Sequence, residues 1–196
     1  MKGIIRVVLI HGTYGSPQEN WIPWLLAELK QQGLEVSAPS FPTPEGQSLD
    51  TWRSTFEREV GQVDEATILV AHSLGAGFVL NLLEGAKHQV LGTFLVSGFV
   101  GSLGLSDFDP LNASFVEKYF DWQKIQRDAG FVRIYNGSND PYVPLERGQF
   151  IADRLKVPLQ VIKNGGHINS AAGYNTFPLL RDDVLGLVRQ QQREHR

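Results

Sequence analysis

Ser73, Asp140 and His167 are the residues whose types and placement admit chemistry. A serine hydroxyl attacks an acyl carbon only when a base removes its proton in the same step. An imidazole serves at neutral pH, held in the useful tautomer by a carboxylate. Ser73 lies in Ala71-His72-Ser73-Leu74-Gly75, between the apolar run Thr67-Ile68-Leu69-Val70 and a helix-compatible stretch over 74–84. A small-x-Ser-x-Gly pattern at a strand-to-helix turn is a nucleophile elbow. The turn is tight enough to force the serine into a strained backbone region. Small side chains are needed two positions to either side; Gly75 supplies one, and Ala71 stands where glycine is usual. Asp140 follows Tyr135 by five residues, in a turn built from Gly137, Ser138 and Asn139, and His167 follows Ile162 by five, behind Gly165-Gly166.

Acyl transfer also needs donors for the developing oxyanion. The amide of Leu74, next to the serine at a helix N-terminus, is one candidate. The loop His11-Gly12-Thr13 offers the other in the amide of Thr13, with Gly12 letting the backbone fold close to the serine. Residues expected to touch substrate are His11, Gly12, His72 and Trp122. His11 is read mainly as shaping its loop and His72 as a neighbour of the serine, while Trp122 and some of the phenylalanines of 99–122 are expected to line an apolar acyl pocket.

The elements that must position these residues are legible as alternating patterns. Gly3 to Ile10, Leu34 to Ala38, Thr67 to Val70, Val90 to Val96, Phe131 to Tyr135 and Pro158 to Ile162 are short apolar runs rich in β-branched residues, which predict strands. Between them, Asn20 is expected to cap a helix that has Pro23 in its first turn and Gly33 at its end. Ser48 is expected to cap one carrying Leu49, Trp52, Phe56 and Val60. Further helices are predicted over 74–84, 121–128, 145–155 and 178–190. Strands alternating with helices at this spacing imply parallel βαβ units, hence an α/β three-layer αβα sandwich with a mainly parallel sheet. In such a sheet the carboxyl ends of the strands share one rim, where Ser73, Asp140 and His167 all fall. The chain is expected to form a single domain over 1–196, with 99–122 a minimal lid at most.

The order Ser73, Asp140, His167 is that of α/β-hydrolases. The sequence resembles the compact α/β-hydrolases of the retinoblastoma-binding protein 9 and YdeN-like kind. The likeness rests on the His-Gly loop after the first strand, the Ala-His-Ser-x-Gly elbow, Asp-Trp-x-Lys-Ile at 121–125, Ser-Asn-Asp-Pro-x-x-Pro at 138–144, and Gly-Gly-His-Ile-Asn at 165–169. It implies a triad of Ser73, Asp140 and His167 and esterase-type activity on small acyl substrates. The retinoblastoma-binding motif Leu-x-Cys-x-Glu cannot exist in a chain without cysteine, so that partner is not implied.

Composition closes off other classes. Among 196 residues, 42% are hydrophobic and 20% charged, which suits a globular chain. A formal net charge of −3, with scattered Lys and Arg, argues against nucleic acid as partner. The absence of cysteine removes disulfides, thiolate metal sites and cysteine nucleophiles. No histidine pair has metal-ligand spacing, so neither metal nor cofactor is expected. His88 and His195 are expected to be solvated, and Asp107 and Asp109 are rivals to Asp140 as the acid. Arg6 interrupts the first apolar run, and no stretch approaches the roughly 18 apolar residues of a membrane span. A cytoplasmic serine hydrolase with a small-molecule acyl substrate is the expectation. A non-catalytic binding module on the same scaffold and an acyltransferase remain as alternatives; a peptidase ranks below them, and Ser73 at the elbow disfavours an aspartate-nucleophile dehalogenase. Oligomeric state is left open.

Overall fold

The computed structural model describes residues 4–194. Six parallel strands form one sheet: β1 Arg6–Ile10, β2 Glu35–Ser37, β3 Thr67–His72, β4 Gly92–Val96, β5 Phe131–Gly137 and β6 Leu159–Ile162, in the order β2-β1-β3-β4-β5-β6. Seven helices alternate with them: α1 Ile22–Gln31, α2 Leu49–Glu59, α3 Leu74–Gly85, α4 Asp109–Val116, α5 Trp122–Asp128, α6 Leu145–Leu155 and α7 Pro178–Glu194. Side chains alternate across the strands. Val8, Ile10, Leu69, Ala71, Leu95 and Ile134 face the layer that holds α2 to α6. Val7, Leu9, Ile68, Val70, Phe94, Val96 and Tyr135 face α1 and α7. Both faces of the sheet are therefore covered, which is why its central strands read as unbroken apolar runs. The chain thus forms a three-layer αβα sandwich on a parallel sheet.

The strand order locates the site before any side chain is considered. The chain leaves β1 for β2 on one side, then returns across β1 to lay down β3 on the other. At such a reversal the loops leaving two neighbouring strands part, and the crevice between them takes ligands at the carboxyl ends. The loops that part here follow β1, at His11-Gly12-Thr13, and β3, at Ser73.

Side-chain caps fix the starts of α2 and α5. Ser48 caps α2: its hydroxyl accepts the Thr51 amide at 3.2 Å, and the Thr51 hydroxyl accepts the Ser48 amide at 3.1 Å. The Asp121 carboxylate caps α5 by accepting the Lys124 amide at 3.0 Å. Asn20 departs from expectation. Trp21 occupies the N-cap of α1, and Asn20, at φ +57°, turns its side-chain oxygen to the amide of Ser170 at 2.9 Å. It ties the loop before α1 to the segment after His167 instead. β1 begins at Arg6, not at Gly3, which lies outside the described residues, as does His195. The irregular stretch 99–122 holds α4, whose Phe115 and Val116 are core while Asn112 and the preceding loop face the crevice. Among the described residues, no helix is long and apolar enough to cross a membrane.

Candidate active site

Ser73 has φ +56° and ψ −123°, the strained conformation expected of the elbow, and its amide donates to the Val96 carbonyl at 2.9 Å. The helix that follows runs so close to β1 that a Cβ at Gly75 would lie 2.7 Å from the His11 carbonyl oxygen. The loop after β1 is equally close: a Cβ at Gly12 would lie 2.8 Å from the Ser73 Cβ and 3.2 Å from its Oγ. The amides of Thr13 and Leu74 flank the serine, and among the described residues neither donates to a protein acceptor.

Asp140 and His167 arrive on loops stapled to one another. The Asn139 side chain accepts the Gly166 amide at 2.9 Å, and the Ser138 hydroxyl accepts the Asn164 amide at 3.0 Å. The Asp140 carboxylate is fully enclosed; one oxygen accepts the amides of Tyr142 and Val143 at 2.9 and 3.0 Å, the other the His167 Nδ1–H at 2.7 Å. That bond assigns the proton to Nδ1 and leaves Nε2 as the basic atom. His167 and Ser73 line the same cavity, with no direct hydrogen bond between them among the described residues. Such bonds are often long in unliganded enzymes and tighten when substrate is bound.

His72 and His11 are buried supports of the site. His72 is buried, and its Nε2–H donates to the His167 carbonyl at 2.9 Å, holding the backbone of that residue. Burial, with the adjacent His167 ring acting in the same direction, lowers its pKa from 6.5 to about 3. The His11 Nε2 accepts the Phe41 amide at 3.0 Å and its Nδ1 faces the Gly12 carbonyl at 2.9 Å, while burial lowers its pKa. Its ring packs against Phe41 and Trp52, with centroids 5.4 Å away in each case. His11 therefore does not line the cavity, in contrast to the expectation; Gly12 and His72 do.

Trp122 is also corrected. It packs on Phe120 and Phe150, in a separate surface groove with Arg147 and Arg154. The short helix it opens, about 10 Å long, leads into β5, and Trp122 lines that groove and not the cavity of Ser73. Within the preceding segment, Phe99, Leu103, Leu105 and Phe108 do form cavity wall. Asp109, a rival acid, accepts the Ser102 hydroxyl and the amides of Leu103, Gly104 and Leu105 at 2.6 to 3.0 Å, and so shapes that wall instead.

The cavity measures about 240 Å³. Half-exposed Tyr14 and Tyr142 flank its mouth, bridged by Phe108 at ring distances of 5.5 and 5.9 Å. Tyr14, Gln47 and Asn112 escaped the sequence reading, since none lies in a motif and each gains its role from a segment distant along the chain, and Tyr142 escaped it as an unspecified position of the 138–144 motif. Among the described residues, no group of three or more His, Cys, Asp or Glu is arranged to hold a metal ion.

A strained serine at the switch point of a parallel sheet, sharing a cavity with a carboxylate-held imidazole, fits the class of compact α/β-hydrolases. The family model described as serine hydrolase matches residues 7–185, and the chain belongs to that family. It is 30% identical over 191 residues to YdeN of Bacillus subtilis, covering 96% of this chain and 98% of that one. The crystal structure of YdeN superposes with a TM-score of 0.86, covering 94% and 98% of the two chains. The rat serine hydrolase RBBP9 is 27% identical over 87% of this chain and 90% of its own. A meta-cleavage product hydrolase of Pseudomonas fluorescens shares the fold, with a TM-score of 0.67 at 14% identity over 95% and 91% of the chains.

Proposed function

We propose that Ser73, His167 and Asp140 act as a triad that cleaves small carboxylic esters or related acyl compounds through an acyl-enzyme on Ser73. The observation that carries this is the 2.7 Å bond from His167 Nδ1 to the enclosed Asp140, which leaves Nε2 as a base in the cavity that Ser73 lines. His167 Nε2 takes the hydroxyl proton as Ser73 Oγ attacks the acyl carbon. The oxyanion forms between the amides of Thr13 and Leu74, preorganised donors with no competing acceptor among the described residues. Asp140 stabilises the imidazolium without taking its proton. The proton passes from Nε2 to the departing alkoxide, and water, deprotonated by the same nitrogen, releases the acid and regenerates Ser73.

The cavity of about 240 Å³ lies below the roughly 300–1,000 Å³ of pockets for drug-sized ligands, which favours short acyl chains. Phe99, Leu103, Leu105 and Phe108 supply its apolar side, and 99–122 is the segment we assign as a minimal lid. Acid quenching during turnover of p-nitrophenyl butyrate, followed by peptide mass analysis, tests the intermediate. A butyryl group on the Ser73 peptide is expected, absent in Ser73→Ala. Undiminished turnover in that variant would overturn the proposal.

A further inference from the structure

Asn112 is 2% exposed and lines the cavity from the fourth helix. The orientation of its amide follows from a chain of hydrogen bonds that starts at a backbone group. The Leu111 carbonyl accepts from the Gln47 side chain at 3.0 Å, so the Gln47 atom there is the nitrogen. The same nitrogen lies 3.2 Å from Asn112, so the Asn112 atom facing it is the oxygen. That oxygen also accepts the Thr13 hydroxyl at 2.5 Å. The other end of Gln47 agrees: its oxygen accepts the Thr43 hydroxyl at 2.6 Å, and Thr43 in turn accepts the Tyr14 amide at 2.8 Å. Asn112 Nδ2 is left as a donor for which, among the described residues, no protein acceptor exists.

That nitrogen opens into the cavity, where an oxygen of a bound molecule can reach it. Here it stands beside the oxyanion loop, close to the apolar stretch of cavity wall made by Phe99, Leu103, Leu105 and Phe108. We infer that Asn112 is a specificity-determining residue whose Nδ2–H donates to an acceptor oxygen carried on the acyl chain, so that the preferred substrates are acyl compounds bearing an ether, hydroxyl or carbonyl oxygen beyond the scissile group. The inference rests on the hydrolase reading of Ser73. A site built to hydrogen-bond an acceptor discriminates against the analogue lacking it, because the donor is then left dry.

The test compares p-nitrophenyl esters of methoxyacetate, 3-methoxypropanoate and levulinate with the hydrocarbon esters of equal chain length. It uses the wild type, Asn112→Asp and Asn112→Ala. Asn112→Asp keeps the acceptor for Thr13 and Gln47 and replaces the donor with a charged oxygen, while Asn112→Ala removes the donor without adding charge. In the wild type at least one oxygenated ester should exceed its hydrocarbon partner in kcat/KM by about tenfold, the effect of one hydrogen bond. Both variants should lose that ratio while fluorophosphonate still labels Ser73. A ratio near one for all three pairs in the wild type overturns the inference, as does a ratio that survives substitution because both esters fall together. Failure of the wild type to label at Ser73 would remove the hydrolase reading itself, and is thereby distinguished from the failure of Asn112 alone.

Discussion

A side-chain carbon on Gly12 would sit 2.8 Å from the Cβ of Ser73. The loop after the first strand thus rests directly against the nucleophile, and only a residue without a side chain permits that approach. Gly12→Ala should push the loop and the Thr13 amide away from the oxyanion. A fall in kcat of about 100-fold is expected, comparable to loss of one oxyanion donor. Steady-state kinetics on a p-nitrophenyl ester, with thermal unfolding as a check on the fold, decide this; a change in kcat below threefold would contradict it.

Asp140 holds His167 by one oxygen and the Tyr142 and Val143 amides by the other. Asp140→Asn can keep the amide contacts but presents an NH₂ to one partner, disfavouring the tautomer with a basic Nε2. The expected loss in kcat is about 10⁴-fold with little change in melting temperature. Activity within tenfold of wild type would show that the carboxylate is not the orienting group.

His72 predicts an acid sensitivity of the fold. Its pKa is lowered from 6.5 to about 3, burial being the main cause. As pH falls below about 6.5 the unfolded chain binds a proton that the folded one resists until about 3, so the stability contributed by neutral His72 is complete above that window and is lost across it. His11, also lowered, adds to the same slope. In His72→Gln, which can still donate to the His167 carbonyl, the melting temperature should fall less steeply between about pH 7 and 4 than in the wild type. Parallel slopes would refute this role.

Asp109 gathers the Ser102 hydroxyl and three backbone amides of the loop that carries Leu103 and Leu105. Asp109→Ala should loosen that wall: KM for short acyl esters rises by about fivefold or more, as contacts made alike in ground and transition states are lost, while kcat changes little. Limited proteolysis should concentrate between residues 102 and 108. An unchanged KM and cleavage pattern would count against it.

Residues that follow strands were legible because a parallel sheet delivers every carboxyl end to one rim, so chain position alone places Ser73, Asp140 and His167 together. The helix over 145–155 was legible to the residue, bounded by Pro144 and by Lys156 at φ +56°. Trp122 was misplaced because its aromatic neighbours show no helical period, and nothing local reports which edge of the sheet a short helix returns to. Asn20 carries a helix-cap residue type, yet its side chain is taken by Ser170, a partner 150 positions away. The Gln47–Asn112 bond spans 65 positions between a loop and the fourth helix. Such pairings depend on how loops meet, which neither periodicity nor motif encodes.

The central claim is that Ser73 is the nucleophile and His167 its base. Fluorophosphonate labelling with site identification by mass spectrometry tests it most directly. The wild type should carry the label on Ser73, Ser73→Ala should carry none, and His167→Ala should label more slowly by about 100-fold or more, the loss expected without a general base. Labelling of equal rate and extent in Ser73→Ala would contradict the account.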